Sequence, residues 1–277
     1  MSRSNPMPWL AGGSVAALAL LVYLLYLESR PQADNAIGRP LKVYCAAALK
    51  PAMESIAADY RRETGRGVEV EFGDSGKMLG QVTVRADADL FLPADDTYVR
   101  LAADKGLVAE TVSLCRMRPV ILTRPGNPYR VAAFDDLLKP GLRVGIANPD
   151  RAAIGKVVRD HLAKQGRWDA LAVRLTTQHL NVTDAANAVQ LGSTDATIVW
   201  DAVAANYPDL AVVRAPELDG AVGRVELAVL SSAPDPPAAR HFARYVAASD
   251  RGMSHFRKVG FVDLEPGPPW AGAGGEP

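Results

Sequence analysis

This 277-residue chain has no surplus of either charge: Lys+Arg and Asp+Glu stand at 31 each. No global field therefore favours nucleic acid or an acidic partner, and recognition of any anion must be local. Cysteine is scarce, with Cys45 and Cys115 the two present. Neither has a second Cys or a His nearby, which excludes the usual zinc spacings. Two thiols so far apart in sequence leave two readings open, a disulfide in an oxidising compartment or free burial in apolar runs. The histidines, His161, His179, His241 and His255, are scattered without ligand spacing. No metal site and no cofactor are expected. A nucleophile with its base is missing too, because Ser75 has no His at a motif-like position. The sequence does not read as an enzyme.

What is present begins with "EFGDSGKMLGQV", a glycine-flanked Ser-Gly-Lys ahead of a helix-like run. A nucleotide P-loop needs four residues between its first Gly and the Gly-Lys pair, then Ser or Thr. Here Gly73 and Gly76 are too close, and Met78 follows Lys77. The nucleotide reading fails, while an anion at a helix N-terminus stays open.

From Trp9 to Leu27 the chain carries no charge, about the length that crosses a bilayer core. Arg3 precedes the run and Glu28 and Arg30 follow it, a weak cue for a cytoplasmic start. Two outcomes stand: an uncleaved anchor at about residues 9–27, or a cleaved signal. The bulky exit "LLYLESR" favours the anchor, since cleavage sites want small residues. The run does not end in cysteine, which argues against a lipoprotein. Either outcome places the remainder outside the cytoplasm, in the periplasm or its equivalent, with the inner membrane as a partner if the anchor stays.

Beyond a Pro/Gly-containing tether, short apolar runs alternate with amphipathic stretches. "LKVYCAAA", "VEVEF" and "ADLFLPA" read as strands, with helices between them over "KPAMESIAADYRRETG" and "KMLGQVTVRA". "RMRPVILT" reads as one long strand. A second series runs through "LRVGIANP", "AAIGKVVRDHLAKQG", "LAVRLT", "NVTDAANAVQLG" and "ATIVWDAVAA". The rhythm predicts an α/β protein of two lobes, each a mostly parallel sheet flanked by helices. The expected boundaries are 1–40 for anchor and tether, 41–118 plus 224–265 for lobe I, 119–223 for lobe II, and 266–277 for a flexible tail.

In open α/β sheets ligands bind beyond the carboxyl ends of the strands. Four strand-to-helix junctions look alike: "CAAALKP", "GDSGKM", "ANPDRAAIGK" and "LNVTDAAN". Small residues there let backbone amides approach a ligand, and helix N-termini carry partial positive charge.

In the order and spacing of these pieces, together with "FGDSGKMLGQV", "ADLFLPAD", "ATIVWDAV" and "ARHFARYVAASDRGMSHFRKVGF", the chain resembles the periplasmic molybdate-binding proteins of ABC transporters. The likeness runs from Leu41 to Phe261. It implies the two-lobed type II binding-protein fold, with a tetrahedral oxyanion such as molybdate or tungstate held between the lobes by hydroxyls and amides. It also implies a permease as partner, a monomer and no role for nucleic acid. Carried over by motif, the ligand-binding positions are Ala48, Ser75, Ile154, Val182 and Trp200. Two depart from the family pattern: Ala48 replaces a serine and offers only its amide, and Trp200 replaces a tyrosine and offers an indole N–H.

Around these lie Asp74, Gly76, Lys77, Asp184 and Asp201. A carboxylate facing the ligand would repel molybdate, tungstate or sulfate and welcome phosphate, which keeps a proton. Like charges 4 Å apart at an effective dielectric of about 20 cost roughly 4 kcal/mol. The competing reading has Asp74 and Asp184 capping their own helices. Lys77 reads either as a steering cation or as a solvated first-turn residue. Phosphate, sulfate or another small anion is the alternative ligand, and an anchored anion-sensing ectodomain the alternative role.

Overall fold

The computed structural model describes residues 38–271. The expected membrane segment at 9–27 and the end of the tail lie outside the described residues. Among the described residues no helix is long and apolar enough to cross a membrane.

The described residues hold eleven strands: β1 (Leu41–Ala46), β2 (Val68–Gly73), β3 (Leu90–Leu92), β4 (Val108–Met117), β5 (Pro119–Thr123), β6 (Val144–Ala147), β7 (Leu175–His179), β8 (Ala196–Trp200), β9 (Ala211–Val213), β10 (Gly223–Leu230) and β11 (Asp263–Leu264). They assemble into two sheets, ordered β11-β4-β10-β3-β1-β2 and β7-β6-β8-β5-β9. The parallel part of the first sheet is β2-β1-β3, and that of the second is β7-β6-β8. Both sheets are mixed, because the remaining strands add antiparallel to these triplets. The central strand of each triplet, β1 and β6, is almost wholly buried, as a strand covered on both faces must be. With the helices packed on them, the sheets make two lobes of an α/β fold.

The stretch read as one long strand is two. It breaks at Arg118, with β4 in the first sheet and β5 in the second. Pro119 holds the preceding residue extended and lacks an N–H for a continuous ladder. Arg118 is then clamped: its amide donates to Asp201 Oδ1 at 3.1 Å, and its carbonyl accepts from the Asp201 amide at 2.9 Å. Its guanidinium pairs with Asp263 at 3.1 Å, and Arg116 pairs with Glu265 at 2.7 Å. The crossover between the sheets is thus tied to both. The start of the 266–277 segment is also held, since Gly267 donates to the Ala247 carbonyl and Trp270 stacks edge-on against His241 and Tyr245.

Cys45 and Cys115 are free and buried. Burial pushes both thiols well up from their ordinary range. Thiol titration with an aromatic disulfide is therefore expected to label neither cysteine in the native protein and both after denaturation. Rapid native labelling would contradict their burial.

Gly155 sits where the Ala153–Lys164 helix meets the end of β6. A Cβ there would lie 2.1 Å from the Ala147 carbonyl oxygen, whereas one on Gly80 would meet nothing within 4 Å. Gly155→Ala is expected to cost about 2–4 kcal/mol by backbone displacement. Gly80→Ala, inside the Ser75–Val84 helix, is expected to gain about 0.5–1 kcal/mol. Urea unfolding of the two variants checks both signs.

Candidate functional site

Register brings the strand exits together. Ala46 at the end of β1 pairs with Gly73 at the end of β2, and Cys45 pairs with Leu92 of β3. In the second sheet Ala147 pairs with His179, and Ile146 with Ile198, two residues before Trp200. The parallel strands of each lobe therefore run out at one level. One cavity collects all six exits: Ala46–Ala48, Gly73–Ser75 and Ala94 from the first lobe, Ala152–Ile154, Asn181–Val182 and Trp200 from the second. Measured to the centre of a water-sized sphere, its volume is about 20 Å³. That exceeds the roughly 10–15 Å³ one water needs, so it suits a single small occupant.

All five residues expected to bind a ligand, Ala48, Ser75, Ile154, Val182 and Trp200, line this cavity. Ser75 is buried, and its Oγ accepts the Ala94 amide at 3.2 Å. That contact uses a lone pair and leaves the hydroxyl hydrogen to donate. Ser75, Ile154 and Val182 stand at or near the first position of their helices, where amides have no intrahelical acceptor. Among the described residues none of these three amides, nor that of Ala48, finds a backbone acceptor outside its helix. The caps spare them. Asp74 Oδ1 takes the Lys77 amide at 2.7 Å and Asn181 Oδ1 takes the Asp184 amide at 2.9 Å, so each cap satisfies the third amide of its helix and leaves the first open. Ala152 caps the Ala153–Lys164 helix without a side-chain bond at all.

Trp200 is fully buried. The edge of its six-membered ring faces Gly223, where a Cβ would come within 2.7 Å. The missing side chain at 223 is what makes room for an indole. Its N–H has no partner among the described residues.

The acidic residues separate. Asp74 lines the cavity and is 6% exposed. Besides its cap, its Oδ2 accepts Arg151 Nη2 at 3.2 Å. Asp184 is not a cap: Asn181 is, and Asn181 Nδ2 donates back to Asp184 Oδ2 at 2.8 Å. Asp201 is spent on the crossover amide of Arg118 and on Ala202, away from the cavity lining. The Gly76 amide is committed to the Arg151 carbonyl at 2.9 Å. Lys77 is exposed and does not reach the lining. The cavity wall therefore carries donors, one tethered carboxylate and no cation.

Sequence reasoning passed over Ala94, Asn181 and the carbonyl of Arg151. Asn181 was findable as an Asn directly before a helix at a strand exit. Ala94 acts through its backbone, and no local pattern marks it; Arg151 lies in the junction "ANPDRAAIGK" and is marked as a possible guanidinium contact by that position, but its partners across the cleft are not. Beside the cavity lies a wider cleft of about 300 Å³, sharing Ala47, Ala48, Gly73 and Asn181 with it and bordered by Lys50 and Asp184.

A family model described as bacterial extracellular solute-binding protein matches residues 41–262. The molybdate-binding protein ModA of Mycobacterium tuberculosis (strain ATCC 25618 / H37Rv) is 31% identical over 250 residues, 87% of this chain and 93% of that protein. Among solved structures, the periplasmic molybdate-binding protein of Azotobacter vinelandii aligns with a TM-score of 0.69 at 20% identity, covering 80% of this chain and 98% of that one. The sulfate-binding protein SubI from Mycobacterium tuberculosis H37Rv aligns with a TM-score of 0.70 at 20% identity, covering 83% and 88%. At such identities the structures speak for the fold. The length of the family match and the identity to ModA speak for descent: the chain belongs to the bacterial extracellular solute-binding protein family.

Proposed function

We propose that this chain captures a fully ionised tetrahedral oxyanion, molybdate or tungstate, between its lobes outside the cytoplasm and hands it to an ABC permease. The observation that carries the reading is the supply of donors at the cavity: the Ser75 hydroxyl, an indole N–H and open amides from both lobes surround a space for one small ion, and the one carboxylate of the wall, Asp74, is bonded through both oxygens. Anions without a proton need donors alone, and the helix N-termini add partial positive charge without a counter-ion. The name of the ModA relative points the same way.

The reading is of a binder rather than a catalyst. No histidine borders the cavity, and the partner of Ser75 Oγ is an amide rather than a base. An anion bridging amides of both lobes favours the closed arrangement by contacts the open one lacks. Retention of the apolar run at 9–27 as an anchor would keep the binder at the membrane beside its permease, working as a monomer.

Titration calorimetry of the purified full chain against molybdate, tungstate, sulfate and phosphate tests the proposal. Molybdate or tungstate is expected to bind most tightly. Ser75→Ala is expected to weaken that binding by about 1.5–3 kcal/mol, the worth of a hydrogen bond to a charged group. Heat from none of the four anions would end the oxyanion reading, and an unchanged affinity in Ser75→Ala would remove that hydroxyl from the site.

A further inference from the structure

We infer that Arg151 makes the cavity tolerant of fully ionised anions by neutralising Asp74 from across the cleft, an inference that rests on the oxyanion reading above. Asp74 is the one carboxylate among the residues lining the cavity. It cannot swing away, because the Lys77 amide holds Oδ1 at 2.7 Å. Left alone, it would oppose any anion without a proton. Its compensation comes from the other lobe, as Arg151 Nη2 donates to Oδ2 at 3.2 Å from the turn between β6 and the Ala153–Lys164 helix.

Arg151 is not itself a wall of the cavity, so it acts through Asp74 as a positioning residue. Its main chain is anchored independently of its side chain. The Arg151 carbonyl accepts the Gly76 amide at 2.9 Å and the Tyr98 hydroxyl at 3.1 Å, both from the first lobe. These bonds place the guanidinium over Asp74 only when the lobes meet. Neutralisation is therefore delivered by closure: an anion entering an open cleft faces a bare carboxylate, and the closed cleft removes that repulsion. The pair adds a bias toward the closed state that is stronger for a dianion without a proton than for hydrogen phosphate, which satisfies Asp74 with its own O–H.

Arg151→Gln removes the charge and leaves the backbone anchors. Calorimetry of the full chain at one near-neutral pH, with molybdate, sulfate and inorganic phosphate as probes, reads the effect. Affinity for molybdate and sulfate is expected to fall about tenfold, the pair being half-exposed on the arginine side, and affinity for phosphate to fall less. In the Asp74→Asn background the same substitution is expected to change little, because the repulsion it unmasks is gone. An equal loss for all three anions, or a loss that persists with Asp74→Asn, overturns the inference while the oxyanion reading stands. A wild-type chain that binds none of the three, and not tungstate either, takes both down. If Arg151→Gln does not fold, Asp74→Asn alone decides: it keeps the Lys77 cap acceptor and is expected to hold or tighten molybdate, and a tenfold loss of molybdate overturns the inference.

Discussion

Everything at the cavity depends on orphaned helix amides held at the ends of parallel strands. A parallel strand must be followed by a crossover, and in this chain the crossover starts as a helix almost at once, so its first N–H groups emerge level with the sheet edge. Registers such as Ala46 opposite Gly73 and Ala147 opposite His179 put neighbouring edges at the same height. Two such edges brought face to face leave a cluster of donors with no protein acceptor. Those donors are expensive to bury unpaired, and a small anion is the occupant that would satisfy them together. The lining is correspondingly slight, with alanine at 46, 47, 48, 94, 152 and 153, so that main chain rather than side chain meets the occupant.

The same economy governs charge. Arg116 and Arg118 fasten the crossover to the closing strand of the first sheet, and Lys50 lies over the Phe72 ring in the wider cleft. The cavity is left to dipoles, which discriminate by geometry and protonation state where a buried cation would attract anions broadly. One carboxylate is admitted to the wall and then disarmed twice, by a cap within its own lobe and by an arginine from the other. The helix cap and the contact between lobes thereby meet in a single side chain.

Much of the first kind of information was readable along the chain. Strand-then-helix alternation with small residues at the joints gave the α/β class and the junctions carrying Ser75, Ile154 and Val182, because each junction is a local event of a few residues. Asp74 as a cap was equally local. The reading failed where neighbours in sequence part company in space: Pro119 interrupts "RMRPVILT", but nothing in its pattern says that Arg118 leaves one sheet for another. Asp184 looked like a cap by its position near the helix start, yet Asn181, three residues earlier, holds the geometry that accepts the amide.

By itself, then, the sequence determined which segments become strands and helices and which joints expose amides, since periodicity, caps and small residues act over a handful of bonds. Tertiary structure alone decided that six joints open into one small cavity, that Gly223 yields its space to Trp200, and that Arg151 of one lobe stands over Asp74 of the other. Those outcomes arise from strand order and from the packing of distant surfaces, and partners as far apart as 74 and 151 leave no periodic trace in a one-dimensional pattern.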